Sequence, residues 1–144
     1  MGRINVGRVI GAGLLAGLIM NVSQFVLHAV VLAGDGAKLM EDWKKLGLNI
    51  EADPMLLLWL VAVTFGLGVM ALWTYAAIRP RFGPGPWTAV VAGLAVWALS
   101  YFYAGVYVYA GMVILPMKLT WLPVAWSLVE VPLATLVGAW LYKE

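Results

Sequence analysis

Apolar residues dominate four long stretches of this chain, and polar residues collect between them. A helix that spans a bilayer needs about 20 largely apolar residues. Four stretches meet that length: residues 9–32, 54–78, 87–112 and 122–141. The pattern predicts an all-α polytopic membrane protein, with four transmembrane helices in an antiparallel bundle that forms one domain over residues 1–144. The first apolar run exceeds the roughly 7–15 residues of a signal-peptide core, so it reads as a span rather than a leader. Proline and glycine punctuate the connections. Gly34-Asp35-Gly36 closes the first span. Arg79-Pro80-Arg81-Phe82-Gly83-Pro84-Gly85-Pro86 reads as a tight break after the second, because proline denies helix continuation. Residues 116–120 make the third turn.

The first connection has a pattern of its own. Over residues 37–46, Leu39, Met40, Trp43 and Leu46 share one helical face, while Lys38, Glu41, Lys44 and Lys45 fall elsewhere. Glu41 and Lys45 form a favourable i,i+4 pair. Asp35 is placed to cap the start, and Gly47 to end the segment. Two readings stand side by side: a short amphipathic helix on the membrane surface, or a loop helix folded over the bundle.

Composition strengthens the membrane reading. The chain is 64% hydrophobic and 11% charged, whereas soluble domains are about half apolar and one quarter charged. A small soluble domain lacks the volume to hide that much apolar surface. A soluble enzyme and a disordered tail are thereby excluded. The nine Lys and Arg sit singly or in pairs between apolar stretches, so no basic face for nucleic acid exists. With no cysteine, disulfides, thiolate zinc sites and iron–sulfur clusters are excluded.

Lys and Arg near span ends set orientation. With the amino terminus inside, Arg3, Arg8, Arg79, Arg81 and Lys143 are cytoplasmic. Lys38, Lys44, Lys45 and Lys118 are then outside, most of them sharing a loop with Asp35, Glu41, Asp42, Glu51 and Asp53. Both termini are therefore expected in the cytoplasm. Trp43, Trp59, Trp87, Trp121, Trp140 and Tyr142 fall near the expected interfaces. Trp97 and Trp126 fall near the middle of their spans, where an indole N–H wants an acceptor.

Candidate chemistry lies in the polar residues within the spans. Asn21, Gln24 and His28 line one face of the first. Trp97, Ser100, Tyr103 and Tyr107 line a face of the third. Glu130 is the sole acid inside any span, with Trp126 one turn before it. At a rise of 1.5 Å per residue, Asn21, Trp97 and Glu130 all come to about 15–18 Å from the end of their spans nearest the termini. That is near the midplane of a hydrocarbon core about 30 Å thick. The expectation is one midplane cluster of Asn21, Gln24, Trp97, Ser100 and Glu130, with a track of Gln24, His28, Tyr103 and Tyr107 leading outward.

A carboxylate in hydrocarbon costs several kcal/mol on insertion scales. Glu130 must therefore pair, take up a proton or face water, and no Lys or Arg lies within a predicted span to pair with it. It reads either as a functional site or as glue between helices. His28, the only histidine, cannot build a metal site within one chain and carries no haem motif, so neither metal nor cofactor is expected. Nucleophile triads and paired carboxylates are equally absent, so no enzymatic activity is expected, with an integral membrane enzyme acting on lipid as the alternative. Gly7/Gly11, Gly13/Gly17 and Ala134/Gly138 are small-residue pairs four apart, suited to close packing within the bundle or to a homo-oligomer interface.

Three segments carry a resemblance: Asp42-Trp43-Lys44-Lys45-Leu46-Gly47-Leu48, the Arg79–Pro86 turn with the preceding Ala77-Ile78, and Leu128-Val129-Glu130-Val131-Pro132-Leu133-Ala134-Thr135 with Gly138-Ala139-Trp140-Leu141-Tyr142. In these the chain resembles a group of small bacterial four-span integral membrane proteins of unknown function. The resemblance implies a bacterial inner membrane and supplies no substrate or catalytic residue. Two roles follow from the residues themselves. One is a membrane-embedded binding or transport protein with its site around Glu130. The other is a non-catalytic structural or accessory subunit of a larger membrane complex.

Overall fold

Helices account for nearly all of the computed structural model, which describes residues 4–48, 53–111 and 115–142. Met112, where the third span was expected to end, lies outside these residues, as do Arg3, Glu51 and Lys143. Helix α1 (Val6–Val26) runs into a π-helical turn (Leu27–Val31) and then, past Leu32, into α2 (Ala33–Lys45). Helix α3 is Pro54–Phe82. Helix α4 (Pro86–Trp97) passes through a second π turn (Ala98–Phe102) into α5 (Tyr103–Gly111), and α6 is Met117–Leu141. Among the described residues, four continuous helical rods are long and apolar enough to cross a membrane: α1 with its π turn, α3, α4 through α5, and α6. They make an all-α polytopic membrane bundle.

The ends follow local chemistry. Asp53 accepts a hydrogen bond from the Met55 N–H at 2.8 Å, with Pro54 at the first helical position of α3, where its missing N–H costs nothing. Asn5 caps α1 through the Arg8 N–H. The break after the second span comes later than expected. Helix α3 continues through Pro80 and stops at Gly83, whose φ of +82° only glycine adopts without strain. Pro80 lacks one N–H near the helix end, and that is too little to stop it. Helix α6 likewise starts five residues before the predicted 122 and carries Pro123 and Pro132 within it.

The surface helix is also longer than expected. It starts at Ala33 with no side-chain cap, and Asp35 lies in its first turn rather than capping it. Asp35 instead forms an ion pair with Lys118 at the start of α6, at 2.6 Å. Its other end matches the pattern. Gly47 takes φ +80° and donates to Lys44 O, and Leu48 N–H donates to Trp43 O, which together form a Schellman motif. Glu41 and Lys45 pair at 2.9 Å, and this contact holds the Lys45 ammonium above the usual lysine range. No residue of α2 is buried, so it is not folded over the bundle. The Asp35–Lys118 pair is largely exposed, so Lys118→Ala should lower stability by less than about 1 kcal/mol. Thermal unfolding at low and high salt checks this: the small difference should vanish in high salt.

Side-chain-poor surfaces bring the helices together. Helix α1 packs most extensively on α3, α4 on α6, and α1 also on α6. At the α1–α3 crossing, Gly13 and Gly17 face Gly68 and the Val69 and Phe65 backbones so closely that a Cβ on Gly13 would lie 2.5 Å from Val69 Cα. Gly93 of α4 meets Pro132 of α6, and Gly138 meets Leu72 and the Ala12 carbonyl. The Gly13/Gly17 pair therefore packs within the bundle. Gly7 and Gly11 are exposed and meet no neighbouring helix. At the end of the bundle where α1 begins and α3 and α6 end, Tyr142 is buried. Its ring packs edge-on to Tyr75 at 6.1 Å and lies 5.6 Å from the Arg79 guanidinium.

Candidate functional site

Glu130 is 6% exposed on the inner face of α6. Gln24 of α1 reaches it across the bundle, with Nε2 donating to Oε1 at 3.0 Å and Oε2 at 3.2 Å. The same amide nitrogen donates to the Tyr101 hydroxyl at 3.4 Å. Trp126, one turn before Glu130, donates its indole N–H to Ser23 Oγ at 2.8 Å, and Ser23 and Trp126 both offer polar hydrogens to the carboxylate. His28 adds an electrostatic interaction from further out. Among the described residues, no Lys or Arg takes part.

The midplane cluster expected from heights alone is therefore only partly assembled. Gln24 and Glu130 meet. Asn21 does not join them: its Nδ2 donates to Gly17 O at 2.9 Å and, across the gap to α3, to Val61 O at 3.4 Å. Trp97 turns to α6 but bonds the Val124 carbonyl at 3.0 Å. Ser100 bonds the Val96 carbonyl of its own helix at 2.7 Å. Equal height places residues on one level and leaves their direction around the helix open.

The outward track of Tyr103 and Tyr107 is overturned. Both are 66% exposed and stack on each other on the outer surface, ring centroids 6.5 Å apart. The second π turn is the cause. It holds one extra residue per turn, so side chains beyond it lag by about 100° behind an unbroken α-helix. That rotation swings Tyr103 and Tyr107 outward and brings Gly105 against Val124. Tyr101, inside the π turn, takes the inward place. It stands four residues after Trp97, the step that an expectation built on i,i+3 spacing passes over. Ser23 was missed for a related reason. Its neighbour Gln24 dominates the polar face, and only the indole of Trp126 signals that an acceptor must stand at that depth.

His28 lies in the first π turn and is exposed. Its Nδ1 is 2.9 Å from the Gln24 carbonyl. One π turn thus begins three residues after Gln24, and the other contains Tyr101, which accepts from Gln24. Such turns in membrane and soluble helices are frequent at functional sites.

A cleft of about 620 Å³ opens beside this contact, between the second half of α1 and the first half of α3. Asn21, Gln24, His28, Thr64 and Tyr101 supply its polar lining, and Phe25, Leu57 and Leu60 are among its apolar walls. The volume falls within the range of about 300–1,000 Å³ that small-molecule sites occupy. Glu130 lies behind Gln24 and does not line the cleft itself. No family model matches the chain, and no curated protein or solved structure matches it.

Proposed function

We propose that this chain is a membrane-embedded binding or transport protein that takes a small ligand, or a proton, at the polar site around Glu130. One observation carries the reading: the side chain that holds the buried carboxylate, Gln24, also lines an open cleft of ligand size. Helix glue needs no such opening. A carboxyl coupled through one amide to a cleft has a route by which ligand or proton occupancy is felt at the bundle core. The membrane is the inner membrane of a bacterium, with both termini cytoplasmic and the cleft toward the opposite face. No enzymatic reaction is assigned.

Difference infrared spectroscopy of the wild type against Glu130→Gln, across pH, tests this. The expected result is a carboxyl band, lost in the variant, that responds to bulk pH because water reaches the site. A band that never responds identifies a sealed interhelical contact and overturns the proposal. The accessory-subunit reading has its own support in Gly7 and Gly11, exposed on α1 with no helix against them. Native purification in mild detergent distinguishes it: recovery of this chain alone counts against a larger complex, and co-purifying subunits count for one.

A further inference from the structure

We propose that the cleft binds an amphiphilic primary amine in its ammonium form. This rests on the binding-site reading above and names its ligand class. The argument follows the hydrogens. Asn21 uses its amide nitrogen on two backbone carbonyls, Gly17 and Val61, which leaves Oδ1 as its remaining polar atom. Gln24 uses its nitrogen on Glu130 and Tyr101, which leaves Oε1. Thr64 donates its hydroxyl hydrogen to Leu60 O at 2.8 Å, which leaves oxygen lone pairs. His28 faces the Gln24 carbonyl through Nδ1. A carbonyl only accepts, so Nδ1 carries a hydrogen.

Three residues of the cleft, Asn21, Gln24 and Thr64, therefore present acceptors. Tyr101, whose oxygen accepts from Gln24, has the one hydroxyl hydrogen left to give. Behind Gln24 stands the Glu130 carboxyl, with no Lys or Arg beside it among the described residues. A ligand that matches this lining brings several N–H donors and positive charge. An ammonium group supplies both, and Phe25, Leu57 and Leu60 accommodate an apolar body. A carboxylate ligand would meet acceptors and negative charge. A quaternary ammonium brings charge without donors, and the cleft holds no aromatic cage to compensate.

The test is isothermal titration of the protein in zwitterionic lipid nanodiscs, with empty discs subtracted. The probes are phenethylamine, its N,N,N-trimethyl derivative, 2-phenylethanol and 3-phenylpropionate. Phenethylamine is expected to bind saturably and at least tenfold tighter than each of the others. Thr64→Val, which removes one acceptor and disturbs only a bond within its own helix, should weaken phenethylamine about three- to tenfold. The inference is overturned if the alcohol, the acid or the trimethyl derivative binds as well as the amine. It is also overturned if Thr64→Val leaves amine binding unchanged, or if no probe binds. The infrared titration of Glu130 separates the two claims. A pH-responsive carboxyl without amine binding keeps the site and removes the amine, and an unresponsive carboxyl removes the site.

Discussion

Gly68→Ala is expected to force α1 and α3 apart and to destabilise the bundle by about 3 kcal/mol, the upper part of the range for overpacked sites. A Cβ there would lie 2.7 Å from Gly17 Cα and would also run into Gly13 O and Gly17 N. These are backbone atoms within a helix, and no rotamer change moves them aside. In a bilayer, small residues let helices approach until van der Waals contact holds them, so separating the axes removes that contact along the whole crossing. Gly66→Ala is the control. It lies on the same helix with nothing within 4 Å, and it gains the same helical propensity. Unfolding by titration into denaturing detergent, followed by tryptophan fluorescence, measures both. Equal stability of the two variants would refute the crossing geometry. Since Gln24 is carried by α1 and the cleft lies between α1 and α3, Gly68→Ala should also impair any binding in the cleft.

The second large effect belongs to the pair that joins α1 and α6. Glu130→Leu leaves the Gln24 amide short of its acceptor, and Gln24→Leu leaves the carboxyl short of its donor, each costing roughly 1–3 kcal/mol. The double variant replaces both by apolar groups and should recover part of that loss. The expected coupling is about 1–2 kcal/mol, above the ~0.6 kcal/mol average of interhelical hydrogen bonds in membranes, because a carboxyl is the acceptor. A double-mutant cycle on the same unfolding assay reads it. Strict additivity would mean that Gln24 does not hold Glu130. Ser23 and Trp126 are unchanged in all three variants, so the cycle isolates the coupling between Gln24 and Glu130.

Particular elements show where sequence reasoning reached and where it stopped. The spans were legible because length and hydropathy are local: about 20 apolar residues must be helical in lipid to satisfy their own backbone. The Gly47 terminus and the Glu41–Lys45 pair were legible because they depend on neighbours within one or two turns. The Gly13/Gly17 motif named a close approach but not its partner, since Gly68 lies on another helix. Pro80 misled, because a proline one turn from a helix end removes only one hydrogen bond while Gly83 ends the helix.

For the site, the chain alone identified a solitary acid within a span and a polar face on the first helix. Both are readable from composition and a 3.6-residue period. The assembled fold chose Gln24 over Asn21 as the residue that meets Glu130, turned Tyr101 inward and set Tyr103 and Tyr107 outward. The physical reason is angular. Height along a helix accumulates reliably at 1.5 Å per residue, but one extra residue in a π turn rotates everything beyond it by about 100°. Which polar groups meet at a shared depth is therefore decided by helix packing and by those two turns.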